Sequence, residues 1–391
     1  MADKNIILMI CQFGLPVRGL SPYGDALIEA LRLNERFRVL PVDYAAPYPG
    51  WLHPGGAHNK YEQGQIHWAK PQSWNRAAHM PGAIVHFQHW LSPMAIYLTP
   101  LARLARRAGK KIVITVHNPE AHESATSLPL DNLFLKQADR LIVHDRQGMK
   151  ILKKRMGCAF DDKLIEIIPH GITVRKQPPA PEPGDHARLG LDPSRRYICM
   201  FGNLRGYKGI DILLKAWTSL VGQIDDVDLV IAGRLWSGKS GPARIMARLL
   251  GSHSQEDLIQ KALSQPVLSG RVHLWEGFQP DEKLDTLLRL SEIAVFPYSH
   301  FSSQSGAACR AAGLGCPVLA SNIGGLPELA INENWLVEPG NAGALAAALE
   351  SFLTNPAALI MARQTQLQRV RPMSWEVVAE RHADLYCELL S

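Results

Sequence analysis

The feature that most constrains this chain is an alternation of apolar runs with helical patterns, carried through twice. NIILMICQF, AIVHFQ, KIVITVH, RLIVHD and LIEIIP are dense in β-branched and other apolar residues. Between them stand PYGDALIEALRL, PMAIYLTPLARLARRAG and GMKILKKRMG, whose apolar positions recur at helical spacing. Strands without polar alternation are buried on both faces, and helices between them supply the cover, so the pattern predicts a parallel α/β sheet. RKQPPAPEPGDHARLG then interrupts it, with four prolines between Pro178 and Pro183. Proline removes backbone donors and favours extended chain, as in a linker. The alternation restarts with YICMFG, GIDILLKAWTSL, VDLVIAG, RVHLWEGF, EIAVFPYS, PVLAS and WLVEP, and SWEVVAERHADLYCELLS closes the chain as an amphipathic helix.

At 391 residues the chain exceeds one ordinary core. The expected architecture is α/β, with two doubly wound Rossmann-like domains facing a central cleft. Residues 1–176 form the first domain, 177–186 the linker, 187–373 the second domain, and 374–391 a helix placed back on the first. In such sheets ligands bind beyond the carboxyl ends of the strands.

Composition removes several classes. With 46% hydrophobic and 20% charged residues, and no low-complexity tract, the chain is globular. The start, MADKNIILMICQFG, lacks a small-residue cleavage site after its apolar stretch and is expected to be a first buried strand. No apolar run reaches the roughly 18 residues needed to span a bilayer. The six cysteines are scattered without a C-x-x-C pair, which suits reduced thiols in the cytoplasm. Residues 1–184 hold 23 Lys and Arg against 15 Asp and Glu, whereas the remainder holds 19 against 21. A basic first half beside a nearly neutral second half points to an anionic partner for the first.

Three stretches of the second half could hold phosphate. IAGRLWSGKSG places Gly233, Gly238, Lys239 and Ser240 in the G-x-x-x-x-G-K-S spacing of a P-loop, after an apolar run. A triphosphate site also needs a strand-end carboxylate for Mg²⁺. RVHLWEGF offers Glu276, but EIAVFPYS ends in Tyr298 and PVLAS in Ser321. A surface loop after a strand therefore accounts for the match better. FGNLRGYKGIDILLKAW is the stronger candidate: Gly202 and Gly206 permit close backbone approach, and Arg205 and Lys208 place positive charge beside a helix start. FPYSHFSSQSGAACRAAGLGCPVLASNIGGLPELA adds Ser305 and Gly306, which open a small-residue helix whose amides and dipole favour an anion.

Taken together, SPYGDALIEAL, VHFQHWL, ITVHNPEAHE, IPHG, GNLRGYKG and the FPY…SG…GCPVLASNIGGLPE segment resemble a GT-B glycosyltransferase. The chain is similar to glycosyltransferase family 4 and related bacterial exopolysaccharide mannosyltransferases over nearly its whole length. The resemblance implies that Arg205 and Lys208 bind the diphosphate of a nucleoside-diphosphate-sugar donor, beside Gly202, Tyr298, Ser305 and Gly306. It implies that the nucleotide sugar is a substrate, with no cofactor and no bound metal. One departure stands out: the two glutamates that family 4 usually places eight positions apart are Ser302 and Arg310 here. They normally contact the donor ribose and sugar, so the sugar and the stereochemical outcome stay open.

In the first domain, TVHNPEAHE follows a strand, which puts His117, Glu120, His122 and Glu123 at the cleft mouth. Transfer needs the acceptor hydroxyl polarised, and an inverting enzyme needs a general base. His117 matches the family's functional histidine, Glu120 and Glu123 are the carboxylate options, and Asp25 stands further off. His86, His89, His117 and His122 do not suggest a zinc site, because His86 and His89 are three apart in a strand and face opposite sides. LARLARRAGKK and MKILKKRMG are basic amphipathic segments, as at an anionic membrane surface. They lack interleaved aromatics, so nucleic acid is not expected. The sequence thus points to sugar transfer onto a glycan or lipid-linked acceptor, peripheral at the inner face of the plasma membrane. A P-loop nucleotidase or kinase using Gly233–Ser240, and a nucleotide-sugar-binding protein without catalysis, are the alternatives.

Overall fold

The computed structural model describes residues 5–13, 21–47, 49, 65–120, 128–157, 161, 164–235, 259–261 and 263–391. It divides into two compact units. The first comprises residues 1–171, 302–304 and 372–391, and the second comprises 172–301 and 305–371.

The first unit's main sheet contains β1 (Ile6–Ile10), β2 (Arg38–Val42), β5 (Ile84–His89), β6 (Lys111–Val116), β7 (Arg140–Val143) and β8 (Ile165–Ile167). The short strands β3 (Tyr44–Ala46) and β4 (Ile66–His67) pair separately. All main-sheet pairings are parallel, in the order β2-β1-β5-β6-β7-β8. Alternate residues of β1 go to opposite faces. Ile6, Leu8 and Ile10 pack with helices α2 (Pro71–Ala78), α3 (Ala95–Arg107), α4 (Leu128–Leu135) and α5 (Arg146–Met156). Ile7 and Met9 pack with α1 (Ser21–Leu33) and with Val378, Ala383 and Tyr386 of the chain's last helix, Trp375–Leu390. Both faces are covered, which is why these strands read as unbroken apolar runs. Strand β2 escapes that pattern, since Pro41 lies within it; as the sheet's edge strand it tolerates a residue with no N–H to donate.

The second unit repeats the plan with β9 (Arg196–Phe201), β10 (Val227–Gly233), β11 (Val272–Glu276), β12 (Ser291–Phe296), β13 (Val318–Ser321) and β14 (Leu336–Val337). Their order, β11-β10-β9-β12-β13-β14, is again all parallel and is the doubly wound Rossmann order. Among the described residues the helices of this unit include α6 (Asp185–Leu189), α7 (Ile210–Leu220), α8 (Asp281–Leu290), α9 (Gly306–Gly313), α10 (Leu326–Leu329), α11 (Ala342–Leu353) and α12 (Pro356–Val370). The terminal helix Trp375–Leu390 is α13.

Two expectations change. The division falls at Gly171/Ile172, ahead of the proline run, and the prolines belong to the second unit. Asp185, just after them, is fully buried and holds Arg289 (3.0 Å) and Arg188 (3.0 Å), which ties this stretch to α8. Helical spacing in LARLARRAGKK puts Leu101, Leu104 and Ala108 on one stripe, but along α3 the buried residues include Leu98, Leu101, Ala102 and Ala105, and Ala108 is exposed. Lys110 is no surface cation. Its buried ammonium donates to the carbonyls of Met80 and Gly82, both at 2.6 Å, and so secures the turn into β5.

A buried ion pair locks α4 to α5 and β5. Asp131 accepts from Arg155 and lies 2.5 Å from His89 Nε2. Burial pushes its carboxyl up, but the His89 hydrogen bond and the Arg155 charge outweigh this and hold it below the ordinary value. A depressed folded pKa contributes stability that is fully present above about pH 4 and lost as pH falls through the folded value. Asp131→Ala, which strands Arg155, is expected to cost about 3–5 kcal/mol in urea unfolding. A loss below 1 kcal/mol would show that the pair is not sealed from water.

Candidate functional site

The switch point of the second sheet lies between β9 and β12, where consecutive connections leave in opposite directions. Four sequence-selected residues converge there. Gly202 follows β9 with φ +115°, and a Cβ at that position would lie 3.3 Å from Lys208 Nζ and 3.4 Å from Ala307 Cβ. The ammonium and the first turn of α9 therefore face the same glycine. Lys208 is 8% exposed, its Nζ is 5.1 Å from the Tyr298 ring centroid, and the Tyr298 hydroxyl is 3.0 Å from Ser305 Oγ. Ser305 is the N-cap of α9, accepting from the Ala308 amide at 3.4 Å. The amides of Gly306 and Ala307 have no carbonyl within the helix to donate to, and nothing crowds the Cα of Gly306 within 4 Å of a built Cβ.

Among the described residues no carboxylate pairs with Lys208. Burial, and secondarily the charge of Arg205, lower its pKa. A buried ammonium facing helix amides without a counter-charge is an incomplete ion pair, and an anion is what completes it. Arg205 lies exposed at the rim, just before the single turn Gly206–Lys208.

Glycine is required twice around this pocket. At Gly209 (φ +69°) a Cβ would meet the Pro297 carbonyl oxygen at 1.9 Å, and at Gly233 (φ +151°) it would meet that of Gly202 at 1.8 Å. The first glycine of the P-loop-like pattern thus has a packing role at the end of β10. The remainder, Gly238, Lys239 and Ser240, lies outside the described residues. Arg310, at a place where family 4 usually has glutamate, is held by Asp281 (2.7 Å) and Asp285 (2.5 Å) of α8. Ser302, at the other, has a buried Oγ with no hydrogen-bond partner among the described residues.

In the first unit the structure assembles more than the sequence indicated. His117 follows β6 and is 7% exposed, with Nε2 2.8 Å from the Gln88 side-chain amide oxygen and Nδ1 3.1 Å from His144 Nε2. His144, after β7, reaches the Ile168 carbonyl through Nδ1 at 3.0 Å. Tyr23 of α1 packs against His117, His144 and His170 with centroids 4.7, 5.4 and 5.0 Å away. Burial pulls the imidazoles down, His117 well below its ordinary value, His144 to about 3 and His170 to about 4. With both nitrogens engaged, His117 is not poised as a free general base. Glu120 is exposed in the following loop, and His122 and Glu123 lie outside the described residues. His86 and His89 do face opposite sides: the first meets Thr115 (2.8 Å) and Tyr386 (2.6 Å), the second Asp131. Gln88, His144, His170 and Tyr23 were not singled out from sequence. For His144 and His170 the signal was a histidine closing three successive apolar runs, ITVH, LIVH and IIPH, and for Gln88 and Tyr23 there was none.

Two doubly wound Rossmann-like units, the second with a cationic glycine pocket at its switch point, define the GT-B class of fold. The chain belongs to the glycosyltransferases: residues 38–176 match the model for glycosyltransferase family 4, and residues 182–368 that for glycosyl transferases group 1. Among curated relatives, D-inositol 3-phosphate glycosyltransferase of Segniliparus rotundus is 24% identical over 306 residues, covering 76% of this chain and 64% of that protein. Its namesake in Mycolicibacterium gilvum is 29% identical over 272 residues, covering 64% and 54%. The chain thus spans less than two thirds of the length of these two relatives. Among solved structures, sucrose-phosphate synthase from Thermosynechococcus elongatus superposes with TM-score 0.72 at 21% identity, covering 99% of both chains. Anabaena HepE in complex with UDP-glucose gives 0.71 at 17%, covering 98% of this chain and 99% of that one.

Proposed function

We propose that the protein transfers a hexosyl group from a nucleoside-diphosphate sugar, GDP-mannose or a UDP-sugar, to a glycan or lipid-linked acceptor in bacterial surface polysaccharide synthesis. The observation that carries this is the buried, uncompensated Lys208 ammonium beside Gly202 and the start of α9, a pocket for a diphosphate. Lys208, Arg205 and the helix amides neutralise the leaving diphosphate, the part a divalent cation plays in other folds, so the reaction is metal-independent. The nucleotide sugar is a substrate and no cofactor takes part. The UDP-glucose bound to HepE supports a uridine donor, and the names of the curated relatives support a phosphorylated or polyol acceptor. Release of nucleoside diphosphate from a panel of GDP-, UDP- and ADP-sugars tests the reading. Turnover of ATP or GTP with none of the sugars would replace it by the P-loop alternative, and tight binding without turnover by a binding protein.

The acceptor side we place on an anionic membrane at the cytoplasmic face. No single helix among the described residues is long and apolar enough to cross a membrane. With Lys110 buried and Arg106 bound to Asp139, the exposed cations on this side of the first sheet include Arg103 and Arg107 of α3 and Lys150 and Lys154 of α5. Each contributes about 1 kcal/mol near an anionic surface, within a Debye length. Changing these four to serine is expected to weaken sedimentation with phosphatidylglycerol vesicles at low salt while donor hydrolysis persists. Wild-type protein that stays in the supernatant would favour a soluble acceptor.

A further inference from the structure

The contacts around His117 set a proton count. The Ile168 carbonyl can only accept, so His144 Nδ1 carries a hydrogen. If His117 Nε2 faces an amide oxygen, it must carry one as well, and a third is needed between the two rings. Two neutral imidazoles hold only two. Burial of both rings opposes a net charge here. The oxygen and nitrogen of an amide occupy interchangeable positions, so the count is met by turning the Gln88 amide over. Its NH₂ then donates to His117 Nε2, and its oxygen faces His86 Nε2, 3.3 Å from the amide's other end. His86 Nε2–H donates to that oxygen and to Thr115 Oγ1, and His86 Nδ1 accepts from the Tyr386 hydroxyl. The turned amide gives up its 3.2 Å contact to the Met9 sulfur, and every contact among the rings is then satisfied with neutral imidazoles.

We propose that Tyr386, His86, Gln88, His117 and His144 form one polarised hydrogen-bond chain across the ends of β5, β6 and β7, directed by the Ile168 carbonyl, which leaves His117 Nε2 permanently without a proton. His144 and Gln88 are its positioning residues. Building on the proposed function, this deepens the role of His117: in exchange for the Gln88 amide its Nε2 can take only a donor, such as a sugar hydroxyl. A phosphoryl or carbonyl oxygen is repelled there. The chain also reaches α13 through Tyr386, so the protein's last helix takes part in fixing a proton near the candidate acceptor residues.

Long-range ¹H–¹⁵N spectra of ¹⁵N-histidine-labelled full-length protein at pH 7 read the tautomers directly. The expected result is neutral rings, protonated on Nδ1 in His117 and His144 and on Nε2 in His86. An Nε2-protonated His117, or a doubly protonated one, in folded wild type overturns the proposal. Gln88→Glu, whose carboxylate can only accept, is expected to convert His117 to the imidazolium at pH 7, and a ring that stays neutral and bare at Nε2 also overturns it. Gln88→Leu is expected to leave the Nδ1–H tautomer in place, because His144 still accepts from it. The spectra need no substrate. Failure of every nucleotide sugar to turn over, with the expected tautomers present, would sink the functional reading and leave the chain intact.

Discussion

Lys208→Met is expected to lower sugar transfer by about 10²–10³-fold while the folded protein loses no stability. The rate loss follows from what Lys208 faces: its ammonium sits against Gly202 and the first turn of α9, with no carboxylate among the described residues to satisfy it. In the proposed reaction, charge that develops on a leaving diphosphate meets this cation in a water-poor site, where removing one such donor costs about 2.7–4 kcal/mol. The stability follows from the same isolation. A buried charge without a counter-ion destabilises the ligand-free fold, so an isosteric apolar side chain in its place is neutral or stabilising. Arg205→Ala, at the exposed rim, is expected to lose less, since solvent screens its charge. Turnover assays and thermal unfolding of the same samples give both numbers. A Lys208→Met protein that transfers normally would move the diphosphate elsewhere, and one that fails to fold would make Lys208 structural.

Gly209→Ala is expected to destabilise the second unit by about 3–5 kcal/mol, within the range reserved for backbone clashes and strain. Two costs add. A left-handed φ of +69° carries a penalty of roughly 1 kcal/mol for an L-residue. A Cβ 1.9 Å from the Pro297 carbonyl oxygen forces the turn after β9 away from the end of β12. Since that displacement opens the pocket around Lys208, donor binding falls with stability. Gly222→Ala supplies the comparison: it has open space around a built Cβ and no left-handed φ, so it is expected to be neutral to within about 1 kcal/mol. Denaturant unfolding of the pair decides. Equal midpoints would mean that the turn relaxes freely and that the glycine pocket is not rigid.

Much of this was legible in the chain because the physics was local. Strands covered on both faces have to be apolar throughout, and every apolar run singled out in the sequence became a strand. The glycines and cations that gather at the second sheet's switch point were legible for a similar reason: close approach and charge at a strand-to-helix turn leave few residue choices. Burial and pairing were not. Lys110 looks like any other cation in LARLARRAGKK, and only the Met80 and Gly82 carbonyls, some thirty residues earlier, show that it points inward. The histidine layer was hidden because its members come from β5, β6, β7 and α13, and spacing along the chain carries no trace of hydrogen bonds across a sheet. Strand β2 was missed because Pro41 argues against a strand, and only its edge position permits one.

The placement of α13 has a consequence for synthesis. Val378, Ala383 and Tyr386 seal the face formed by Ile7, Met9, Ile84, Val113 and Ile142, yet they are translated only after the whole second unit. At about 5–20 residues per second, roughly 200 intervening residues occupy the ribosome for about 10–40 s. Throughout that interval the first sheet carries one apolar face covered only by α1, its remainder open to capture by chaperones or by another nascent chain. Its last strand pairing can be complete long before its core is. Translation speed through the second unit therefore sets how long the first remains adhesive, and slow codons there would lower yield without altering a single contact in the finished protein.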